Sequence, residues 1–157
     1  MISIYTDGAA RGNPGPGGFG TILLFNGHKK EISAGYRLTT NNRMELLAVI
    51  VGLESLKNEN ETVTIYSDSK YVVDSIALKW VFGWEKKGFS NKKNPDLWKR
   101  FLKVYRKHNV QIKWVKGHAE NEWNNRCDVL ATTAADQPNL LADEGYELEK
   151  NKQELFD

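Results

Sequence analysis

Four carboxylates stand where a fold could bring them into one site. Asp7 closes an apolar run that begins at Ile2, and Glu45 falls in the first turn of a long apolar stretch. Asp68 closes the run VTIYS at Val63–Ser67, and Asp128 lies inside Glu122–Ala135, whose composition is helical. Each has a plainer role available. Asp7 precedes Gly8 and could shape a turn, Glu45 could close a capping box on Asn42, Asp68 could cap the helix that follows, and Asp128 could face water. As a set they point elsewhere. Ligands of open α/β sheets bind beyond the carboxyl ends of parallel strands, which is where Asp7 and Asp68 fall if the first and fourth strands are parallel neighbours. Carboxylates crowded together repel unless a positive charge joins them. A hard divalent cation with oxygen ligands satisfies that need, and Mg²⁺ in particular takes a few carboxylates together with substrate phosphate. The chemistry implied is metal-dependent and acts on a phosphate.

The elements that must hold these groups alternate between strand and helix. Ile2–Thr6 reads as the first strand, and the Gly- and Pro-rich stretch Gly12–Gly20 as a turn region. Thr21–Phe25 and Lys30–Tyr36 read as a hairpin about Asn26 and Gly27, a favoured two-residue turn. Asn42–Lys57 is apolar nearly all round, which predicts a buried helix. Val63–Ser67 is the fourth strand, Ser69–Leu78 a second helix, and Pro95–His108 another with proline at its first position. Val110–Val115 is the fifth strand, and Glu122–Ala135 the last helix of the body. The pattern predicts an α/β fold, a five-stranded mixed sheet flanked by helices, with parallel strands joined by right-handed crossovers. Beyond Gln137 and Pro138 the chain turns polar and acidic and reads as a loosely held, solvated tail.

A chain of 157 residues fits one domain. The longest apolar run, LLAVIVGL at Leu46–Leu53, is far below the roughly 18 residues of a membrane span. The start, MISIYTDG, has neither the basic nor the apolar part of a leader, so a cytoplasmic location and no membrane partner are expected. The single cysteine, Cys127, cannot form an intramolecular disulfide or a zinc site alone, and is expected as a small buried hydrophobe. The net charge of +2 is unevenly spread. From Lys79 to Lys107 ten Lys and Arg face only Glu85 and Asp96, while from Asp136 onward seven acids face Lys150 and Lys152. The basic segment also carries Trp80, Phe82, Trp84, Phe89, Trp98, Phe101 and Tyr105. Cations with flat side chains between them suit a nucleic-acid backbone, although an amphipathic helix with aromatics inward and lysines outward has the same composition.

Four runs, YTDGAARGNPGPGG from Tyr5, TTNNRMEL from Thr39, YSDSKYV from Tyr66 and KGHAENEWNNRCDVLA from Lys116, resemble ribonuclease H of type 1 in order and spacing. The resemblance extends to about Tyr146. It implies a ribonuclease H-like catalytic domain over residues 1–138, a basic protrusion at about 79–94 and an acidic C-terminal tail at 139–157. It further implies hydrolysis of the RNA strand of an RNA/DNA hybrid, giving 3′-hydroxyl and 5′-phosphate ends, by a monomer. Two Mg²⁺ ions, with Mn²⁺ as a substitute, would be held by Asp7, Glu45, Asp68 and Asp128. Asp7 would lie between the ions, Asp128 on the side of the attacking water, and Glu45 and Asp68 on the leaving-group side. His118 matches the family's mobile histidine, assigned to proton movement or product release.

The same resemblance places Asn13, Asn41 and Asn42 against the RNA strand, where an amide both donates to and accepts from a 2′-hydroxyl. Lys70 stands where an amide is common. Thr40 and Asn94 match a phosphate pocket for the DNA strand. Leu38 replaces a common Arg, so that pocket is either weaker here or borrows Arg37. Trp80, Trp84, Lys86, Lys87 and Phe89 match the protrusion and its aromatic channel, which is several residues shorter than in long-protrusion relatives. Two alternatives remain: another metal-dependent nuclease or strand-transfer enzyme on the same fold, and a hybrid-binding module that cuts nothing.

Overall fold

Alternating burial along Ile2–Ala10 builds β1, the central strand of a five-stranded sheet. The computed structural model describes residues 1–117 and 121–156. β2 (Gly15–Phe25) pairs antiparallel with β1, and β3 (His28–Thr39) antiparallel with β2. On the other side β4 (Thr62–Ser67) and β5 (Asn109–Trp114) run parallel to β1, giving the order β3-β2-β1-β4-β5. This is the mixed sheet the sequence predicts. The β2–β3 hairpin closes through Asn26 and Gly27, both at positive φ, as a tight two-residue turn requires.

Helix α1 (Asn41–Glu54) packs across β1 and β2 and is enclosed nearly all round, with Met44, Leu46, Ile50 and Leu53 fully buried. Each such side chain contributes about 1.5–3 kcal/mol by leaving water. Helices α2 (Lys70–Ala77) and α4 (Pro95–Tyr105) lie on the same side, where Trp98 and Phe101 complete the core edge to face. Helix α5 (Glu122–Ala135) covers the opposite face over β1, β2 and β3. Cys127 on α5 is fully buried, as expected, and burial pushes its thiol pKa up.

Three differences from the sequence reading have physical causes. Gly15–Gly20 is strand, and only the residues before it form a turn. A Cβ at Gly20 would collide with the carbonyl oxygen of Cys127, so glycine serves the approach of α5 to β2. The basic segment contains a short helix, α3 (Trp80–Lys86), entered through Lys79 in the left-handed conformation. The tail is not loose: Leu141 exchanges backbone hydrogen bonds with Gly35 and Arg37, and α6 (Glu144–Phe156) follows. Its polar composition hides an anchor, Asp143, which is buried against Arg43 and Thr39. No described helix is long and apolar enough to cross a membrane.

Candidate metal centre and nucleic-acid interface

The parallel register of β1 and β4 sets Thr6 opposite Ser67, so the next residues, Asp7 and Asp68, leave the same edge of the sheet. Glu45 comes from α1 and reaches them because β1 and α1 touch backbone to backbone at Gly8, where a Cβ would collide with the Glu45 nitrogen. Three of the four plainer roles fall away. Asp7 sits within a strand, Thr40 rather than Asn42 caps α1, and Ser69 rather than Asp68 caps α2. One ligand oxygen from each of Asp7, Glu45 and Asp68 lies within 4.8 Å of the others.

The electrostatics of this triad are those of a site lacking positive charge. Burial, then the negative charge of Asp68, pushes the Asp7 carboxyl up from 3.8 to about 7, although it accepts a hydrogen bond from Gly8 at 2.9 Å. Burial, then the charges of Asp7 and Asp68, raises Glu45 well above the ordinary carboxylate range. Among the described residues Glu45 Oε2 and Asp68 Oδ1 are buried without a hydrogen-bond partner, although buried acceptors are ordinarily paired. Oxygens of this kind fit a hard divalent cation. Asp128, half-buried on α5, stands outside the triad, yet its charge also raises Asp7. Asn124, one turn before Asp128, carries a third orphaned oxygen, Oδ1. The sequence reading passed it over, although its spacing from Asp128 places both on one face of α5.

The candidate substrate residues fall on the loop after β1, the start of α1, the start of α2 and the basic segment. Asn13 Oδ1 accepts from the Asn41 backbone at 3.1 Å, tying the loop after β1 to the start of α1, where Asn41 and Asn42 are exposed. Thr40 accepts from the Arg43 backbone at 3.3 Å, and Asn94 donates to the Tyr71 hydroxyl at 3.1 Å. Lys70 places its ammonium 4.1 Å from the centre of the Trp114 ring, whose nitrogen donates to the Asp68 carbonyl at 3.1 Å. Trp114 was likewise not singled out in the sequence, where its place at the end of a strand was the available signal. Trp80 is 49% exposed, Lys86 and Lys87 are exposed, and Trp84 is half-buried beneath the ammonium of Lys92. Phe89 is buried in the core, so it supports the protrusion from beneath. Arg37 is engaged by Glu147 of α6 at 2.8 Å. His118 lies outside the described residues.

A mixed sheet whose parallel edge gathers buried carboxylates with unpaired oxygens defines a class of α/β protein suited to binding hard cations at a strand edge. The RNase H family model matches residues 1–136. The ribonuclease H of Desulforamulus reducens is 58% identical over 147 residues, covering 90% of this chain and 92% of that protein. The ribonuclease H of Syntrophus aciditrophicus is 52% identical over 151 residues, covering 93% and 87%. Among solved structures, LC9-RNase H1, a type 1 RNase H with the type 2 active-site motif, superposes with a TM-score of 0.76 at 31% identity, covering 93% of this chain and 78% of that one. LC11-RNase H1 in complex with an RNA/DNA hybrid gives 0.64 at 30% identity, covering 87% and 97%. The chain belongs to the ribonuclease H family, and its activity is that of a hydrolytic nuclease.

Proposed function

We propose that this protein hydrolyses the RNA strand of RNA/DNA hybrids and leaves 3′-hydroxyl and 5′-phosphate ends. The observation that carries the reading is the triad of Asp7, Glu45 and Asp68, one ligand oxygen of each lying within 4.8 Å of the others, in which Glu45 and Asp68 each also carry a buried oxygen unpaired among the described residues. The likeness to a ribonuclease H solved on an RNA/DNA hybrid supports the choice of substrate.

Asp7, Glu45, Asp68 and Asp128 would hold two Mg²⁺ ions. When bound, such a pair lowers the pKa of the attacking water and offsets charge on the departing oxygen. No side-chain nucleophile is needed. His118 would move protons or assist product release, tasks that suit an imidazole. Asn13, Asn41 and Asn42 would read the ribose hydroxyls, and Lys70 would add a cation where an amide is common. Thr40 and Asn94 would hold a DNA-strand phosphate, and Trp80, Trp84, Lys86 and Lys87 the DNA backbone beyond it. The catalytic unit is assigned to residues 1–138, with the protrusion at about 79–94. Product-end analysis tests the chemistry. RNA fragments from a cut hybrid should be extendable by a polymerase and carry a 5′-phosphate that phosphatase removes. Fragments ending in a 3′-phosphate or a cyclic phosphate would overturn it.

A further inference from the structure

One buried charge cluster has no task in this reading. Arg43 lies on α1 two residues from Glu45, is only 3% exposed, and directs every donor it has into the protein. Its Nε donates to Asp143 Oδ2 at 2.7 Å, and its Nη2 to Asp143 Oδ1 at 2.8 Å and Asp96 Oδ2 at 2.7 Å. Its Nη1 donates to Asp96 Oδ1 at 2.9 Å and Asn94 Oδ1 at 3.3 Å. A guanidinium has five N–H donors, so these contacts leave none for a substrate. Burying such a network is a weak source of net stability, and its best attested use is to fix one arrangement among several.

The arrangement fixed here is that of Asn94. Because Arg43 takes Oδ1, the amide nitrogen must face the other way, where it donates to Tyr71 at 3.1 Å and keeps its second N–H free of any partner among the described residues. A flipped amide would present an acceptor, which repels an anion. The backbone N–H of the same arginine donates to Thr40 Oγ1, so Arg43 holds both proposed phosphate contacts. Arg43 is in turn held by Asp143, which lies beyond the residues matched by the family model and is fixed by Thr39 Oγ1 at 2.7 Å.

We propose that Asp143 and Arg43 are positioning residues that orient the Asn94 amide so that its free N–H meets a phosphate oxygen of the DNA strand. The C-terminal segment is thereby a working part of substrate binding. This rests on the functional reading above, in which Thr40 and Asn94 meet that phosphate.

A double-mutant cycle with Asp143→Asn and Asn94→Ala tests it. In the wild-type background Asp143→Asn should raise both KM and the hybrid Kd measured without divalent cation by about tenfold, the lower end of the worth of one hydrogen bond to a charged group, with kcat unchanged. In the Asn94→Ala background the same substitution should change neither constant. Arg43→Lys, which keeps the buried charge but loses the planar fork, should reproduce the KM-specific loss and guards against a misfolded Asp143 variant. A fall in melting temperature with KM unchanged, or an equal penalty in both backgrounds, would overturn the proposal while leaving hybrid cleavage intact. A wild type that cuts no hybrid would instead overturn the functional reading, and this one with it.

Discussion

Replacing Asp7 by Asn should stabilise the metal-free protein while destroying its activity. Asp7 is 5% exposed, and burial followed by the charge of Asp68 pushes its carboxyl up to about 7 from 3.8. Below pH about 4 the group is protonated in both folded and unfolded chains and has no effect on stability. As pH rises from about 4 to about 7 the unfolded chain gives up a proton that the folded chain retains, so stability falls by about 1.4 kcal/mol per pH unit. The ceiling is roughly 4 kcal/mol above pH 7. The effective dielectric of folded proteins weakens such interactions even at buried sites, so about half of that ceiling, 2 kcal/mol, is expected. Asn keeps the shape and the bond from Gly8 but does not titrate. For a chain of this size the gain corresponds to about 4–8 °C in melting temperature. The assay is thermal denaturation in a chelator at pH 8 and again at pH 4, followed by addition of Mg²⁺. The variant should melt higher at pH 8, equally at pH 4, and respond less to Mg²⁺ than the wild type. Equal melting at pH 8, or the same gain at both pH values, would refute the reasoning.

Other consequences can be checked singly. Glu45→Gln and Asp68→Asn should each lower the cleavage rate by more than about a hundredfold, since groups that merely support metal ligands commonly cost 10–100-fold, and metal-free hybrid affinity should be retained. Replacing Lys86 and Lys87 together by Ala should flatten the plot of log affinity against log salt by about two, one for each lost phosphate contact, and an unaltered slope would remove both from the interface. Gly20→Ala should lower stability by about 1–3 kcal/mol in urea denaturation, because a Cβ there meets the backbone of α5. An unchanged midpoint would show that β2 and α5 can separate freely.

Much of the fold was legible because its signals are local. Asn26 and Gly27 announce a hairpin turn, the all-round apolar run from Met44 announces a buried helix, and Glu122–Ala135 is helical over the residues expected. The triad was legible because two strand ends in parallel register bring Asp7 and Asp68 together whatever lies between them. What escaped depends on distant partners. Glycines at 15–20 read as a turn, yet they are strand paired with β1 and β3, and Gly18 and Gly20 there meet α5 from more than a hundred residues away. The acidic segment after Pro138 reads as solvated until Asp143 meets Arg43 and Leu141 meets β3. The orphaned oxygen of Asn124 shows only once α5 is docked on the sheet. Phe89 shares the composition of its exposed neighbours, and only packing turns it into the core.

The central claim is that clustered carboxylates at the β1–β4 edge direct cleavage to RNA paired with DNA. It is tested most directly by incubating the protein with end-labelled RNA/DNA, RNA/RNA and DNA/DNA duplexes, with Mg²⁺ and with chelator, and resolving both strands. Cutting confined to the RNA strand of the hybrid, present with Mg²⁺ and lost in chelator, is the predicted result. Cutting that persists in chelator, or that falls equally on all three duplexes, would contradict it.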